Sequence, residues 1–267
     1  ETSIENHPGN AQTDSGSGEH SVIFEHVDFV YPDGEEAVLK DISFSAKSGE
    51  TVAFIGSTGS GKSSLIQLIP RFYDRASGNI YIDSQKIEDL DINALRSKIG
   101  FVPQKAHLFS GTIEENIRFG KPDATMDEII HAAKIAQAYD FIMEKPHQFQ
   151  EQIVEGATNV SGGQKQRLSI ARALIRKPEI YIYDDSFSAL DFKTDARLRK
   201  ALKPEIKNAI VFLVAQRVST ILDADKIVVL DEGKIAGIGT HRELLASCPI
   251  YYEIAASQLS KEELTYA

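Results

Sequence analysis

Thr51-Val52-Ala53-Phe54-Ile55-Gly56-Ser57-Thr58-Gly59-Ser60-Gly61-Lys62-Ser63 is the stretch on which the fold of this chain turns. Thr51 to Ile55 is a short apolar run, as expected of a strand buried on both faces of a sheet. Gly56 to Ser63 matches G-x-x-x-x-G-K-[ST], the phosphate-loop pattern, and a helix over Ser63 to Ile69, stopped near Pro70, is predicted to leave it. Glycines let backbone N–H groups close around phosphate oxygens without Cβ clashes, and a helix N-terminus adds partial positive charge. In such a loop Lys62 reaches the terminal phosphates and the Ser63 hydroxyl ligates Mg²⁺. A glycine-rich strand-to-helix turn can be purely structural. The Lys62-Ser63 pair and the flanking elements argue for phosphate.

Outward from this loop, Val22 to Tyr31 reads as a strand, followed by a turn at Pro32-Asp33-Gly34 and a second strand around Leu39, Ile42 and Phe44. Further strands are expected at Asn79 to Asp83, Gly100 to Pro103, Ile180 to Asp184 and Ala209 to Ala215. Lys226 to Leu230 and Lys234 to Gly239 flank an Asp231-Glu232-Gly233 hairpin turn. Met126 to Lys145 has helical texture, Gly163 to Ile175 reads as a helix, and His241 to Ser247 with Ile250 to Gln258 make a helical end. Strands alternating with helices predict an α/β fold, a mostly parallel sheet covered by helices. The front strands form a separate antiparallel lobe, and a helical insert from about Gly111 to Gly156 opens a helical subdomain over about residues 111–175. Residues 1–20, with Asp14-Ser15-Gly16-Ser17-Gly18, read as a linker or appended tail. The domain proper is expected over 21–259, with a short tail over 260–267.

Composition sets the outer limits. The 267 residues carry 39 acidic and 29 basic side chains, a formal charge of -10, which argues against a general nucleic-acid binder. Hydrophobic residues at 42% and charged residues at 25% are ordinary for a globular protein. Gly and Pro number 18 and 9, too few for a low-complexity chain. The single Cys248 excludes an internal disulfide framework and fits a reducing compartment. No apolar stretch approaches the roughly 20 residues of a membrane-spanning helix. A role at a membrane would therefore require docking onto another element.

A second loop, Ser161-Gly162-Gly163-Gln164, opens a helix with Gln166, Arg167 and Arg172. Serine is a good N-cap, and two glycines expose N–H groups at a helix start. Read alone, this is an ordinary capped helix. Downstream, Ile180-Tyr181-Ile182-Tyr183-Asp184-Asp185 is an apolar strand ending in paired carboxylates, where Asp184 fits the Mg²⁺ shell of a phosphoryl-transfer site.

With these segments in order, the chain resembles the nucleotide-binding domain of an ABC transporter, a P-loop NTPase of ABC type, from about Val22 to Ala246. Gly56 to Ser63 is similar to the Walker A, Val160-Ser161-Gly162-Gly163-Gln164 to the signature loop, and the strand ending at Asp184 to the Walker B. Phe101-Val102-Pro103-Gln104 resembles the Q-loop, and Ser188-Ala189-Leu190-Asp191 the D-loop. Tyr31 matches the A-loop aromatic that stacks on adenine, or is simply a strand-end tyrosine. Phe109-Ser110-Gly111-Thr112-Ile113 through Asn116-Ile117 is similar to exporter-type domains.

The resemblance implies ATP and Mg²⁺ as ligands. Tyr31, the loop from Gly56 to Ser63 with the adjoining Ser64, and Gln104 would hold nucleotide; Ser63, Gln104 and Asp184 would hold the metal. It also implies head-to-tail pairs, in which Ser161, Gly162, Gly163, Gln164 and Asp191 face a second domain's nucleotide. The implied partners are that second nucleotide-binding domain and a transmembrane domain, at the cytoplasmic side of the cell membrane, with no nucleic acid.

Two chemistry positions depart from the family pattern, while the signature loop is intact apart from Val160, where Leu is usual. The usual Glu after the Walker B Asp is Asp185, and the usual switch His is Gln216. Aspartate is one methylene shorter, so its carboxylate sits back by roughly 1.5 Å. A misplacement of about 1 Å can cost on the order of 10²-fold in rate. Glutamine still donates a hydrogen bond but carries no proton or charge. Asp185, Gln216 and Gln104 are thus the candidate catalytic set of a slow site, in the degenerate half of a heterodimeric exporter whose intact signature loop completes the partner's site. A slow homodimeric ATPase and an ATP-gated dimerisation module remain as alternatives. DNA-repair members carry long coiled-coil insertions, and no sustained heptad tract occurs here.

Overall fold

The computed structural model describes Ile4, residues 20–260 and Leu264. The tails expected over 1–20 and 260–267 lie, apart from Ile4, His20, Ser260 and Leu264, outside the described residues. Alternation buries Val22, Phe24, Val27 and Phe29 of β1 (Ser21–Phe29) on one face. A bulge at Glu25 and His26, where His26 takes φ 50°, resets the phase midway. Antiparallel pairing of β1 with β2 (Leu39–Lys47) and β4 (Ser77–Ile82), with β5 (Gln85–Lys86) at the edge, makes a four-stranded sheet.

The second sheet holds six strands and positions the site. β3 (Thr51–Gly56) lies between β11 (Lys226–Asp231) and β10 (Ile210–Val214), which continues to β9 (Ile180–Asp184) and β6 (Ile99–Val102). All these pairs are parallel; β12 (Lys234–Gly239) adds an antiparallel edge to β11. The fold is α/β, a mixed sheet with a parallel core, antiparallel strands and covering helices.

Period-two alternation feeds two cores. Val52 and Phe54, Ile180 and Ile182, and Ile210, Phe212 and Val214 face the core shared with α1 (Lys62–Leu68) and the antiparallel sheet. Ala53, Ile55, Tyr181, Tyr183, Val211 and Leu213 face the other. Phe54 and Phe212, both fully buried, stack with ring centroids 6.0 Å apart. Truncating either to alanine would cost about 3–5 kcal/mol.

The remaining helices pack on the sheets or on one another. They are α2 (Ile92–Ser97), α3 (Ile113–Arg118), α4 (Met126–Ile135), α5 (Tyr139–Met143), α6 (Gly162–Leu174), α7 (Phe192–Glu205), α8 (Val218–Ile221), α9 (His241–Ser247) and α10 (Pro249–Gln258). A two-residue antiparallel pair, β7 (Gly111–Thr112) with β8 (Gln152–Ile153), ties the chain at both ends of α3 to α5.

Several elements differ from the sequence reading, α2 and α8 among them, for which it holds no expectation; two have a plain physical account. The helical texture over Met126 to Lys145 is broken in two, because Gln137 takes φ 56° and its carbonyl accepts from Arg167 Nη1 of α6 at 2.6 Å. Helix α7 carries no expectation from the sequence. Asp191 starts it, accepting from Thr194 N at 2.9 Å, and Leu198 and Leu202 bury its inner face. An N-cap followed by apolar residues four apart is the signal that marks it.

Candidate nucleotide-binding site

Four parallel strands end on one rim of the central sheet: β3 at Gly56, β6 before Gln104, β9 at Asp184 and β10 before Gln216. This is the carboxyl edge where open α/β sheets hold ligands. The loop after β3 relies on glycine, with Gly56, Gly59 and Gly61 all at positive φ. A Cβ at Gly56 would meet Leu230 O at 2.0 Å, and Gly61, at φ 96°, opens α1. Ser57, Thr58 and Gly59 are exposed at the tip, with nothing near Gly59.

Lys62 is buried and donates to Gly56 O at 2.9 Å, Ser57 O at 2.7 Å and Ser60 Oγ at 3.2 Å. Burial pulls its ammonium below the ordinary lysine range, opposed by the charges of Asp185 and Asp184. Ser63 Oγ donates to Asp184 Oδ1 at 2.8 Å, joining the loop to the end of β9. Burial raises the Asp184 pKa; the Ser63 hydrogen bond opposes this, Asp185 adds to it and Lys62 opposes it. A divalent cation would relieve that carboxylate. Ser63 Oγ, Asp184 and Gln104 are hard oxygen donors that suit Mg²⁺.

Asp185 is buried, with φ 47°, and its N–H donates to Val214 O at 3.0 Å. Its Oδ2 accepts from Gln104 Nε2 at 3.0 Å and from Gln216 Nε2 at 2.5 Å. The structure therefore brings Lys62, Ser63, Gln104, Asp184, Asp185 and Gln216 together. Tyr31 OH shares a 2.8 Å hydrogen bond with Ser64 Oγ of α1, and its ring packs edge-on against Phe29 and Tyr73. Tyr73 was not singled out in the sequence. It lies three residues beyond Pro70, outside any motif.

Ser161 caps α6 reciprocally with Gln164: Ser161 Oγ accepts from Gln164 N at 3.2 Å, and Gln164 Oε1 from Ser161 N at 3.0 Å. Ser161 and Gly162 are exposed, and among the described residues no hydrogen bond or ion pair joins Ser161–Gln164 to residues 56–64. The segment lies instead against Ser188–Asp191, where a Cβ on Gly163 would meet Ala189 O at 3.3 Å. Asp191 is spent on capping α7; its hydrogen bonds to Thr194 hold its carboxyl below the usual range.

Three ties among these loops have no sequence signal: Gln166 Nε2 to Pro103 O at 3.0 Å, Ser186 Oγ to Val102 O at 2.8 Å and Arg217 Nη2 to Ser188 O at 3.0 Å. Cavities of about 580 Å³ and 450 Å³ lie at the other end of the strands, around Glu179 and Tyr181 and around Gly49 and Thr51.

A glycine loop, a buried lysine, a serine hydroxyl and an acidic strand end on one rim define a phosphate-loop nucleotide-binding domain. The chain belongs to the ABC transporter family, whose model matches residues 39–188, more than half of its length. It is an ABC transporter ATP-binding domain, homologous to ATP-binding proteins of ABC exporters. It is 47% identical over 241 residues to the uncharacterized ABC transporter ATP-binding protein YfiB of Bacillus subtilis, covering 90% of this chain and 42% of the relative. It is 48% identical over 237 residues to a protein of Staphylococcus aureus provisionally named for multidrug export, an ATP-binding/permease protein, covering 89% and 41%. A solved bacterial Atm1-family ABC exporter with ATP bound superposes with TM-score 0.88 at 37% identity, covering 91% of this chain and 43% of that one. The chain thus spans less than half the length of these relatives. Among the described residues, no helix is long and apolar enough to cross a membrane.

Proposed function

We propose that residues 21–259 form one nucleotide-binding domain, with its helical part over about 111–175, that binds Mg-ATP at the seam of a head-to-tail pair to drive export. Lys62 and the loop N–H groups grip the phosphates, Tyr31 receives the adenine face, and Ser63, Asp184 and Gln104 hold Mg²⁺. The metal supplies charge neutralisation at the phosphates. Asp185 orients the attacking water, and the Gln216 amide reaches the γ-phosphate. Asp191 and the Ser161–Gln164 loop serve the nucleotide of the second domain, and a transmembrane domain transmits the motion from the cytoplasmic side.

The observation that carries this reading is Asp185 Oδ2, which accepts both glutamine amides. A carboxylate oxygen occupied by two neutral amides, with no imidazole beside it, must give up one of them before it can hold water. It is compatible with a site that binds ATP and turns it over slowly, in the degenerate half of a heterodimer. Exposure of Ser161 and Gly162 supports their use by another chain.

The test is ATP turnover and native mass of the chain alone and mixed with a nucleotide-binding domain carrying Glu and His at the two variant positions. Low turnover alone, and brisk turnover with a heterodimer in the mixture, is expected. Brisk turnover alone as a homodimer overturns the degenerate reading. Pairing without turnover in any mixture reduces the protein to an ATP-gated dimerisation module.

A further inference from the structure

Gln216 is held at two ends. Its side chain donates to Asp185, and its backbone carbonyl accepts from Gln258 Nε2, the last residue of α10, at 2.9 Å. The other end of the same amide, Gln258 Oε1, accepts from Val218 N at 2.8 Å. Val218 is the first residue of α8, a helix whose own N-cap residue, Arg217, supplies no side-chain cap. One side chain 42 residues downstream therefore satisfies the groups on either side of Arg217 and fixes the peptide planes that aim Gln216. Arg217 is pinned from the opposite side, through Ser188 O and over the Phe192 ring at 5.0 Å.

The clamp stands on an anchored helix. Tyr251 and Ala255 of α10 are fully buried, and Tyr251 OH bonds His241 Nδ1 of α9 at 2.7 Å. The helix end is closed by Leu259 N to Ala255 O at 2.8 Å. Gln258 itself is largely exposed, so its amide meets water as a competitor and is held in place only by the seating of α10.

We propose that Gln258 is a positioning residue for the nucleotide site: the C-terminal helix clamps the switch loop through it, and so sets how well Gln216 distinguishes a nucleotide with a γ-phosphate from one without. This rests on the proposed contact of Gln216 with the γ-phosphate. Seating of α10 and nucleotide selectivity are thereby linked through the backbone on either side of Arg217.

The experiment measures equilibrium binding of Mg-ATP and Mg-ADP to the 267-residue chain and to Gln216→Ala, Gln258→Ala, Gln258→Glu and the double alanine variant. Gln216→Ala is expected to cut the ATP-over-ADP preference by about tenfold, the scale of one hydrogen bond to a charged group. Gln258→Ala is expected to cut it about threefold or more with Mg-ADP affinity unchanged. Gln258→Glu keeps the acceptor for Val218 N and should fall between, which also serves if the alanine variant folds poorly. In the Gln216→Ala background, Gln258→Ala should have no further effect, because both act on one contact.

An intact preference in Gln258→Ala, an equal loss for both nucleotides, or additive losses in the double variant would each overturn the clamp while leaving the role of Gln216 standing. No change in Gln216→Ala would remove the γ-phosphate contact itself, and the clamp with it.

Discussion

Gln216 Nε2 donates to Asp185 Oδ2 at 2.5 Å, across 31 positions of sequence and between the ends of two adjacent parallel strands. This contact places the two departures at chemistry positions in a single hydrogen-bonded unit. A shorter acid and an amide form a matched neutral-to-anion pair, where a glutamate and an imidazole would form a proton-transfer pair.

Repair should therefore need both positions. Asp185→Glu with Gln216→His is expected to raise phosphate release on the order of 10-fold to 10²-fold, and each single change should give little. Release measured at saturating Mg-ATP checks this. No gain with ATP binding retained would shift the defect to the signature loop supplied across the seam.

Asp184 exposes a conflict between stability and function. Its pKa is raised, so the folded state holds a proton more tightly than the unfolded chain does, and the charged form costs stability above the raised pKa. Asp184→Asn keeps an acceptor for Ser63 and removes that cost. The nucleotide-free melting temperature at pH 7 is expected to rise by a few degrees, and the stabilisation that Mg²⁺ adds to ATP should vanish. Melting curves with ATP, with and without Mg²⁺, decide it.

Tyr31 offers a ring braced against Phe29 and Tyr73 and a hydroxyl tied to Ser64. If the ring receives adenine, Tyr31→Ala should weaken ATP binding about tenfold, the scale of one base on one aromatic. Tyr31→Phe should retain most of the affinity. Equal losses in both variants would assign the effect to the Ser64 hydrogen bond.

His241 predicts a pH dependence in the C-terminal helices. Burial lowers its pKa, so the folded state prefers the neutral ring while the unfolded chain titrates near 6.5. Stability is lost as pH falls below that unfolded value, and the loss levels off below the folded pKa. The melting temperature should therefore drop between pH 7.5 and about 5.5, by less in His241→Gln. Equal slopes in the two proteins would exclude the imidazole as a cause.

The motifs were legible because each is local. Gly56 to Ser63 follows its strand and precedes its helix without a gap, so pattern and context fit in one window. Alternation and apolar runs likewise gave both sheets, and the hairpin at Asp231-Glu232-Gly233 formed as its turn residues require. Helix α7 was missed because its apolar face is only a few residues, including Leu198 and Leu202, among many charges. The break at Gln137 was missed because it depends on Arg167, 30 residues away.

The amino-acid order by itself determined which side chains could do phosphate chemistry and which two chemistry positions depart from the family pattern. Tertiary structure alone decided that Asp184, Asp185, Gln104 and Gln216 share one rim and that Gln258 returns to hold the switch loop. The physical reason is range. Glycine conformation, capping and periodicity act over a few residues and are written in consecutive letters, whereas a hydrogen bond between strand ends exists only after the sheet has brought those ends together.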